Sequence, residues 1–412
     1  MKVLIIASSD IVGGAHRAAY RLHLSLLSQD IDSQMLVQNK ISGDYTVTGP
    51  TSNFRKFVLN PLRPAMDHII MKSKKVSTLF SSSYLPFSEI VKQINKINPD
   101  IVHLHWITGG MIRIEDVAQI KPPVIWSLHD MWAFTGGCHY DKNCGAYKNS
   151  CGACPVLGST KNNDLSRKVS NRKQKTFNKK KNMTVVGLSY WLNDCSKNST
   201  LLKNKNHINL PNPIDTRLFK PFGKNKAREL WRLPKEKKLI LFGAVGAISD
   251  PRKGFKELSE ALHKLQDKDI ELVVFGSSEP KKTQDFGFKT HYLGHLHDDI
   301  SLITLYSAVD VMVVPSLQEN LSNAIMESLS CSTPVVGFNI GGNGDMIEHK
   351  KTGYLAKPFD ANDLKDGIEW VVNNENYDEL CDNARDKVVR EFDSKVVAKK
   401  YIELYKEVLD ES

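Results

Sequence analysis

An α/β chain folded as two doubly wound, Rossmann-like domains facing across a cleft is what this sequence predicts, and three observations predict it. Short apolar runs at residues 3–7, 101–104, 124–127, 239–242, 271–275 and 311–314 have the length and uniformity of strands buried on both faces, with helical periodicities between them. The prolines of Leu210-Pro211-Asn212-Pro213 end regular structure near the middle of the chain and stiffen a linker there. A length of 412 residues, 41% of them hydrophobic, suffices for two or three cores, and no apolar run approaches the roughly 18 residues that cross a bilayer. The N-terminal VLII is shorter than the about 7 to 15 residues of an export-signal core, so a cytoplasmic protein is expected. Seven cysteines, an odd number, then argue for reduced thiols or a metal rather than a disulfide framework.

Taken in order, residues 3–7 form a strand, 8–14 a turn, and Ala15, Ala18, Ala19, Leu22 and Leu26 one face of a helix. Gly13 and Gly14 either let the backbone approach a ligand at that helix's N-terminus or simply make a tight turn. Between residues 52 and 87, Phe54, Phe57, Val58, Leu62, Met66, Ile69, Ile70 and Met71 are interleaved with Arg55, Lys56, Arg63, Lys72, Lys74 and Lys75. That mixture suits an anionic membrane surface or a lipid-linked acceptor, and equally a core-facing helix pair with a solvated basic face. The strand at 124–127 runs into Leu128-His129-Asp130, which places His129 at the carboxyl end of a parallel strand, where such sheets hold ligands. His103 and His105, on the preceding strand end, read as mainly structural.

Cys138, Cys144, Cys151 and Cys154 follow with spacing C-x5-C-x6-C-x2-C. Four thiolates could hold a structural zinc, closed to catalysis because no coordination position stays open; four reduced thiols in a loop are the alternative. Residues 167–181 then carry eight Lys and Arg and no acid, either a solvated helix face or, with the basic segment at 55–75, an anionic membrane or pyrophosphate-lipid surface. Nucleic acid is disfavoured, since Phe177 alone offers a base to stack on. The net charge of +10 is uneven: residues 1–208 hold 28 Lys and Arg against 13 Asp and Glu, residues 209–412 hold 28 against 33.

In the second half, residues 239–242 form a strand, 243–254 a loop, and Phe255, Leu258, Leu262 and Leu265 a helix face. The loop motif DPRKGF sets Arg252 and Lys253 ahead of that helix, where two cations can hold a diphosphate. From residue 311 to 345 the pattern is most specific: a strand, a break at Pro315-Ser316, then a helix carrying Ile325, Met326 and Leu329 and expected to start near Leu321. Glu319 and Glu327 flank that start. The free N–H groups and positive dipole end suit a phosphate, and the carboxylates suit sugar hydroxyls. The triplets Asp30 to Asp32 and Asp267 to Asp269 fall at helix-to-strand turns and are rejected as metal sites.

The E-x7-E spacing of Glu319 and Glu327, followed by Thr333-Pro334-Val335-Val336 and Gly341-Gly342, resembles the signature of the family 4 glycosyltransferases, whose fold is GT-B. LPNPID, with Phe219 and Pro221 after it, resembles that family's interdomain linker. Gly13-Gly14 is similar to a family Gly-Gly that lies against the donor phosphates, and His129 to a histidine beside the transferred sugar. Lys253 matches a lysine that binds the donor diphosphate; where the family has an arginine six residues earlier this chain has Ala247, so Arg252 is expected to substitute.

The resemblance implies retaining transfer of a sugar from a nucleotide-sugar donor to a saccharide or polyprenyl-pyrophosphate-linked acceptor in cell-surface polysaccharide or glycolipid assembly, without a catalytic metal. It implies an acceptor-binding domain over 1–208, a nucleotide-sugar domain over 209–390, a final helix over 391–412 packed on the first domain, and a peripheral seat on the inner face of the cytoplasmic membrane. Lys253, Arg252 and the helix start at Leu321, Ser322 and Asn323 would neutralise the departing diphosphate. Glu327 would bind ribose, Glu319 the sugar, and His129 would order sugar and acceptor. A nucleotide-sugar epimerase or a non-catalytic nucleotide-sugar-binding member would share the fold. A nucleic-acid-binding protein would leave the glutamate block without a purpose.

Overall fold

The computed structural model describes residues 1–69, 79–86, 88–243, 250–276, 286–296 and 298–411. The chain divides into two compact units, Met1–Pro213 with Val397–Ser412, and Ile214–Val396. Ala247, Ile70, Met71 and the lysines at 72, 74 and 75 lie outside the described residues.

The first unit is built on seven parallel strands, β1 (Lys2–Ser9), β2 (Asp32–Asn39), β3 (Val47–Thr48), β4 (Ile101–Leu104), β5 (Val124–Leu128), β6 (Met183–Gly187) and β7 (Asn206–Asn209), in the order β3-β2-β1-β4-β5-β6-β7. The order reverses between β1 and β4. Helices α1 (Gly14–Leu27), α2 (Asn60–Ile69), α3 (Ile90–Ile97), α4 (Leu165–Lys179) and α5 (Tyr190–Lys197) supply the crossovers that parallel pairing demands. Leu4, Ile6, Val102, Leu104, Trp126 and Val185 are buried in one core, the apolar run of each strand leaving neither face to water.

The basic run at 167–181 is not a uniform solvated face. Asp164 caps α4 by accepting from Arg167 N, and from there three of the cations turn inward. Arg172 forks onto Glu115 at 2.7 Å. Lys173 is fully buried, its Nζ 3.7 Å over the Trp132 ring and donating to the carbonyls of Trp132 and Thr135. Lys180 Nζ donates to the carbonyls of Ile120 and Pro122, both at 2.7 Å.

The second unit has six parallel strands, β8 (Lys238–Gly243), β9 (Ile270–Phe275), β10 (Thr290–Tyr292), β11 (Val311–Val314), β12 (Val335–Phe338) and β13 (Gly353–Ala356), in the order β10-β9-β8-β11-β12-β13. Its order reverses between β8 and β11. Helices α6 (Lys224–Leu230), α7 (Phe255–His263), α8 (Asp299–Ala308), α9 (Asn323–Ser330), α10 (Asn343–Met346), α11 (Ala361–Val372) and α12 (Tyr377–Glu391) complete it. Helix α13 (Ser394–Asp410) begins in this unit and belongs to the first from Val397 onward. There its Tyr405 hydroxyl lies 2.8 Å from His103 Nδ1, and Ser127 Oγ lies 2.8 Å from His103 Nε2. Both ring nitrogens are thus bonded, which is the structural role expected of His103.

Candidate active site

Open parallel sheets hold ligands beyond the carboxyl ends of their strands where the strand order reverses. In the second unit that place is the exit of β8 and β11. The segment after β8 returns at Asp250, whose side chain accepts from Arg252 N and opens a single turn over Pro251–Lys253. The turn after β11 is fastened to it, since Leu317 N donates to Arg252 O at 2.7 Å. Two glycines make this fit. A Cβ on Gly254, at φ 67°, would stand 1.7 Å from the carbonyl oxygen of Pro315, and one on Gly341, at φ 52°, 1.8 Å from that of Glu319. No side chain fits at either, so Gly254 and Gly341 hold the Glu319 turn from two sides.

The packing brings Lys253 and Glu319 together, Nζ to Oε2 at 3.3 Å, with the lysine side chain 43% exposed and the glutamate 16%. Arg252 is placed differently from expectation: its guanidinium forks onto Asp250, at 3.1 and 2.6 Å, so its charge is already countered within the loop. Helix α9 starts at Asn323, two residues later than the sequence suggested, with Ser322 at the N-cap making no side-chain capping bond. Leu321 is buried, so only its backbone can meet a ligand; Ser322 and Asn323 are half-buried. Glu327 lies in the second turn of α9, 4% exposed, and accepts from the Tyr306 hydroxyl at 3.1 Å.

In the first unit the order reversal lies between β1 and β4. Gly13 is the N-cap of α1, Gly14 its first residue, and both are exposed. His16, one turn into the helix, faces Ser8 Oγ through Nε2 at 2.8 Å and stands edge-on to Trp106 at 5.3 Å. His129, at the exit of β5, faces His105: Nε2 to Nδ1 is 2.9 Å. Burial drives the His129 ring down to about 3, and the nearby His16 works the same way against the opposing pull of Asp130. His129 is therefore neutral at any pH near 7. His105 is also held well below the usual histidine range, first by burial and then by its histidine neighbours. Its Nδ1 contact fixes the direction of the His129 ring, in keeping with a mainly structural role.

Asp130 accepts from Trp106 Nε1 at 2.9 Å and from His139 Nδ1 at 2.6 Å, and His139 Nε2 lies 3.0 Å from Ser81 Oγ. Burial pushes the Asp130 carboxyl up, but His139 and the other donors outweigh it and hold the group below the usual carboxylate range. Sequence reasoning singled out none of His16, Asp130, His139 or Gly254. Two of the four had a signal, since His16 stands two residues after Gly13-Gly14 and Gly254 directly after Lys253.

The four-cysteine zinc site expected from the spacing is not assembled. No three His, Cys, Asp or Glu side chains among the described residues are grouped to hold a metal ion. Cys144 is exposed on a turn that Asp141 organises by accepting from the N–H groups of Asn143 and Gly145. Cys151 Sγ accepts from Gly136 N at 3.0 Å. Cys138 and Cys154 hydrogen-bond to each other, which raises the Cys138 thiol and lowers that of Cys154 to about 7. Two of the thiols thus face each other, while Cys151 and Cys144 have backbone surroundings of their own.

Two parallel-sheet α/β units, each with ligand-suited loops at its order reversal, define the GT-B glycosyltransferase class. The chain belongs to the family 4, or group 1, glycosyltransferases. The family model "Glycosyl transferases group 1" matches residues 224–388 and "Glycosyl transferase 4-like" matches residues 58–149, between them more than half of the chain. A protein of Escherichia coli (strain K12) described as a colanic acid biosynthesis glycosyl transferase, WcaC, is 25% identical over 364 residues, covering 82% of each chain. Other curated relatives are matched over about half their length, 45 and 47% in two cases. Among solved structures, sucrose-phosphate synthase from Thermosynechococcus elongatus superposes with a TM-score of 0.72 at 17% identity, covering 100% of both chains. Anabaena HepE in complex with UDP gives 0.62 at 14%, covering 99% of this chain and 100% of that one.

Proposed function

We propose that the chain moves a sugar from a nucleotide-sugar donor, with retention of anomeric configuration, to a saccharide or polyprenyl-pyrophosphate-linked acceptor in assembly of a surface polysaccharide or glycolipid. The second unit takes the donor and the first the acceptor. The observation that carries this reading is the Lys253–Glu319 pair, fastened by Gly254 and Gly341 at the order reversal of the second sheet. With no donor present the two side chains compensate each other. A diphosphate draws Lys253 to itself, and the N–H groups at the start of α9 add to the field that meets charge on the leaving group. Glu319 is then released to the sugar, where a carboxylate stabilises an oxocarbenium-like centre. Glu327, fixed by Tyr306, holds ribose hydroxyls.

His129, neutral and oriented by His105, orders a hydroxyl of sugar or acceptor rather than trading protons. Charge on the diphosphate is met by Lys253 and the N–H groups at the start of α9, Arg252 being held by Asp250, so the reading needs no catalytic metal. WcaC's role in colanic acid synthesis supports the polysaccharide setting, and UDP bound to HepE makes UDP-sugars the first donors to try.

Thermal unfolding of wild type and Lys253→Ala against UDP, GDP, ADP, CMP and their sugar conjugates tests the proposal. A ligand at about 100 times its Kd stabilises by roughly 2.7 kcal/mol. One nucleotide class should raise the wild-type midpoint and leave the variant unmoved; an equal shift in both would remove Lys253 from the site. With the donor class known, NMR of the product's anomeric proton decides retention.

A further inference from the structure

We propose that Thr108 and one water held beside it fix the tautomer of His129, acting through His105. His105 is 3% exposed and Thr108 1%, yet His105 Nε2 and Thr108 Oγ1 have no hydrogen-bond partner among the described residues. Two unmatched polar atoms at that depth are costly, and protein interiors answer them with water. Both residues line one cavity of about 10 Å³ in the first unit, together with Trp106, Trp126, Trp132 and Asp130. That is room for a single water.

The walls offer no substitute for it. Each indole N–H is already committed: Trp106 to Asp130 at 2.9 Å, Trp126 to the His105 carbonyl at 3.2 Å, Trp132 to the Ser81 carbonyl at 2.8 Å. Asp130 accepts from Trp106 Nε1, Trp132 N and His139 Nδ1, and a carboxylate has sites for a fourth donor. The proposed water therefore bonds His105 Nε2, Thr108 Oγ1 and the Asp130 carboxylate.

Its effect passes along the ring pair. Both rings are neutral near pH 7, so each carries one proton. His105 Nδ1 faces His129 Nε2 at 2.9 Å, and across that contact one nitrogen donates and the other accepts. The two tautomers are thereby locked together: either both rings hold the proton on Nε2 or both hold it on Nδ1. The Asp130 carboxylate turns a hydrogen of the water toward itself and leaves the oxygen for His105, so His105 Nε2 is the donor. His129 then donates to His105 through Nε2 and keeps a lone pair on Nδ1, which receives a hydroxyl as a donor. Thr108 is in this sense a positioning residue, and the use of that lone pair on sugar or acceptor rests on the proposed function.

Two measurements on the full chain test the proposal. A crystal structure at a resolution that orders single waters should show one within hydrogen-bonding distance of both His105 Nε2 and Thr108 Oγ1. Long-range proton–nitrogen correlation of protein labelled with ¹⁵N-histidine should show both rings protonated on Nε2, with His105→Gln and His129→Asn assigning the signals. Thr108→Val, which keeps the shape and loses the hydroxyl, should bring in the Nδ1–H form of both rings together. Thr108→Ser should restore the wild-type pattern. A cavity without the water, a wild-type His129 protonated on Nδ1, or a valine variant with wild-type tautomers overturns the proposal. The wild-type density and tautomer decide it even where the valine variant fails to fold. No donor enters either measurement, so this proposal and the proposed function can fail separately.

Discussion

The two units meet the same topological problem with opposite chemistry. At the order reversal of the first sheet, enclosed side chains hold one another: His105 on His129, His16 against Trp106, His139 on Asp130. At the order reversal of the second, an ion pair stands partly open to water between two glycines that admit no side chain. A ring held by its neighbours, neutral as His129 is, fixes direction and contributes little field; an exposed lysine contributes field and is free to change partner. A transferase needs both, orientation at the sugar and acceptor and electrostatics at the leaving diphosphate.

The largest effects should therefore fall on the second unit. Glu319→Gln and Lys253→Ala should each lower single-turnover transfer by about 100- to 1,000-fold, roughly 3 to 4 kcal/mol, the usual cost of removing one electrostatic contact to a transition state. His129→Asn, which keeps a hydrogen-bonding side chain of the neutral kind, should cost much less and leave the shape of the pH–rate profile unchanged. A profile that loses one limb in His129→Asn would break the comparison, because it would make the histidine a proton carrier.

Gly254→Ala sharpens it from the structural side. The added methyl would stand 1.7 Å from the Pro315 carbonyl oxygen in a left-handed conformation, so the Glu319 turn must move. The expected loss is about 2 to 4 kcal/mol of stability, together with the nucleotide-dependent shift in melting temperature. Retention of that shift at wild-type size would mean that the fastening of the two loops is unnecessary for the donor site.

The parallel strands, the linker prolines and the Glu319 block were legible in the sequence because each rests on local pattern: uniform apolar runs, dense proline, fixed spacing. The start of α9 was misjudged by two residues, as helix ends are set by cap geometry that spacing does not show. The cysteine loop was open in the sequence for a related reason. Cysteine spacing states what could converge, whereas side-chain direction is decided by neighbours such as Gly136 N and the turn at Asp141. The amphipathic segment at 55–66 was ambiguous in sequence, because an amphipathic period carries no sign; Arg55 pairs with Glu89 and the buried Asn60 and Arg63 donate to Gln38 and Gly110, while Phe57 and Leu62 are exposed, which overturns the core-facing alternative. Lys173 and Lys180 were hidden inside a charge run that composition reads as solvent-facing.

The difference between the units also predicts a pH dependence. His23 is held at about 4 and His103 and His129 at about 3, each chiefly by burial, and all three lie in the first unit. No described histidine of the second unit is buried. Unfolded, such a ring takes a proton below about 6.5; folded, it refuses one until pH 3 to 4. The unfolded state binds more protons across that interval, so each ring's contribution is complete above about 6.5 and is lost as pH falls, by up to about 1.4 kcal/mol per pH unit. Between pH 6.5 and 5 most carboxylates stay ionised, and the loss there belongs to the histidines. Urea midpoints measured at pH 7, 6 and 5 should fall steadily for wild type. In His103→Gln, which can still bond Tyr405 and Ser127, the slope should be shallower by up to one proton even though the variant is less stable at pH 7. An unchanged slope would show that His103 titrates alike in both states, and the first unit's site would then owe its neutrality to something other than burial.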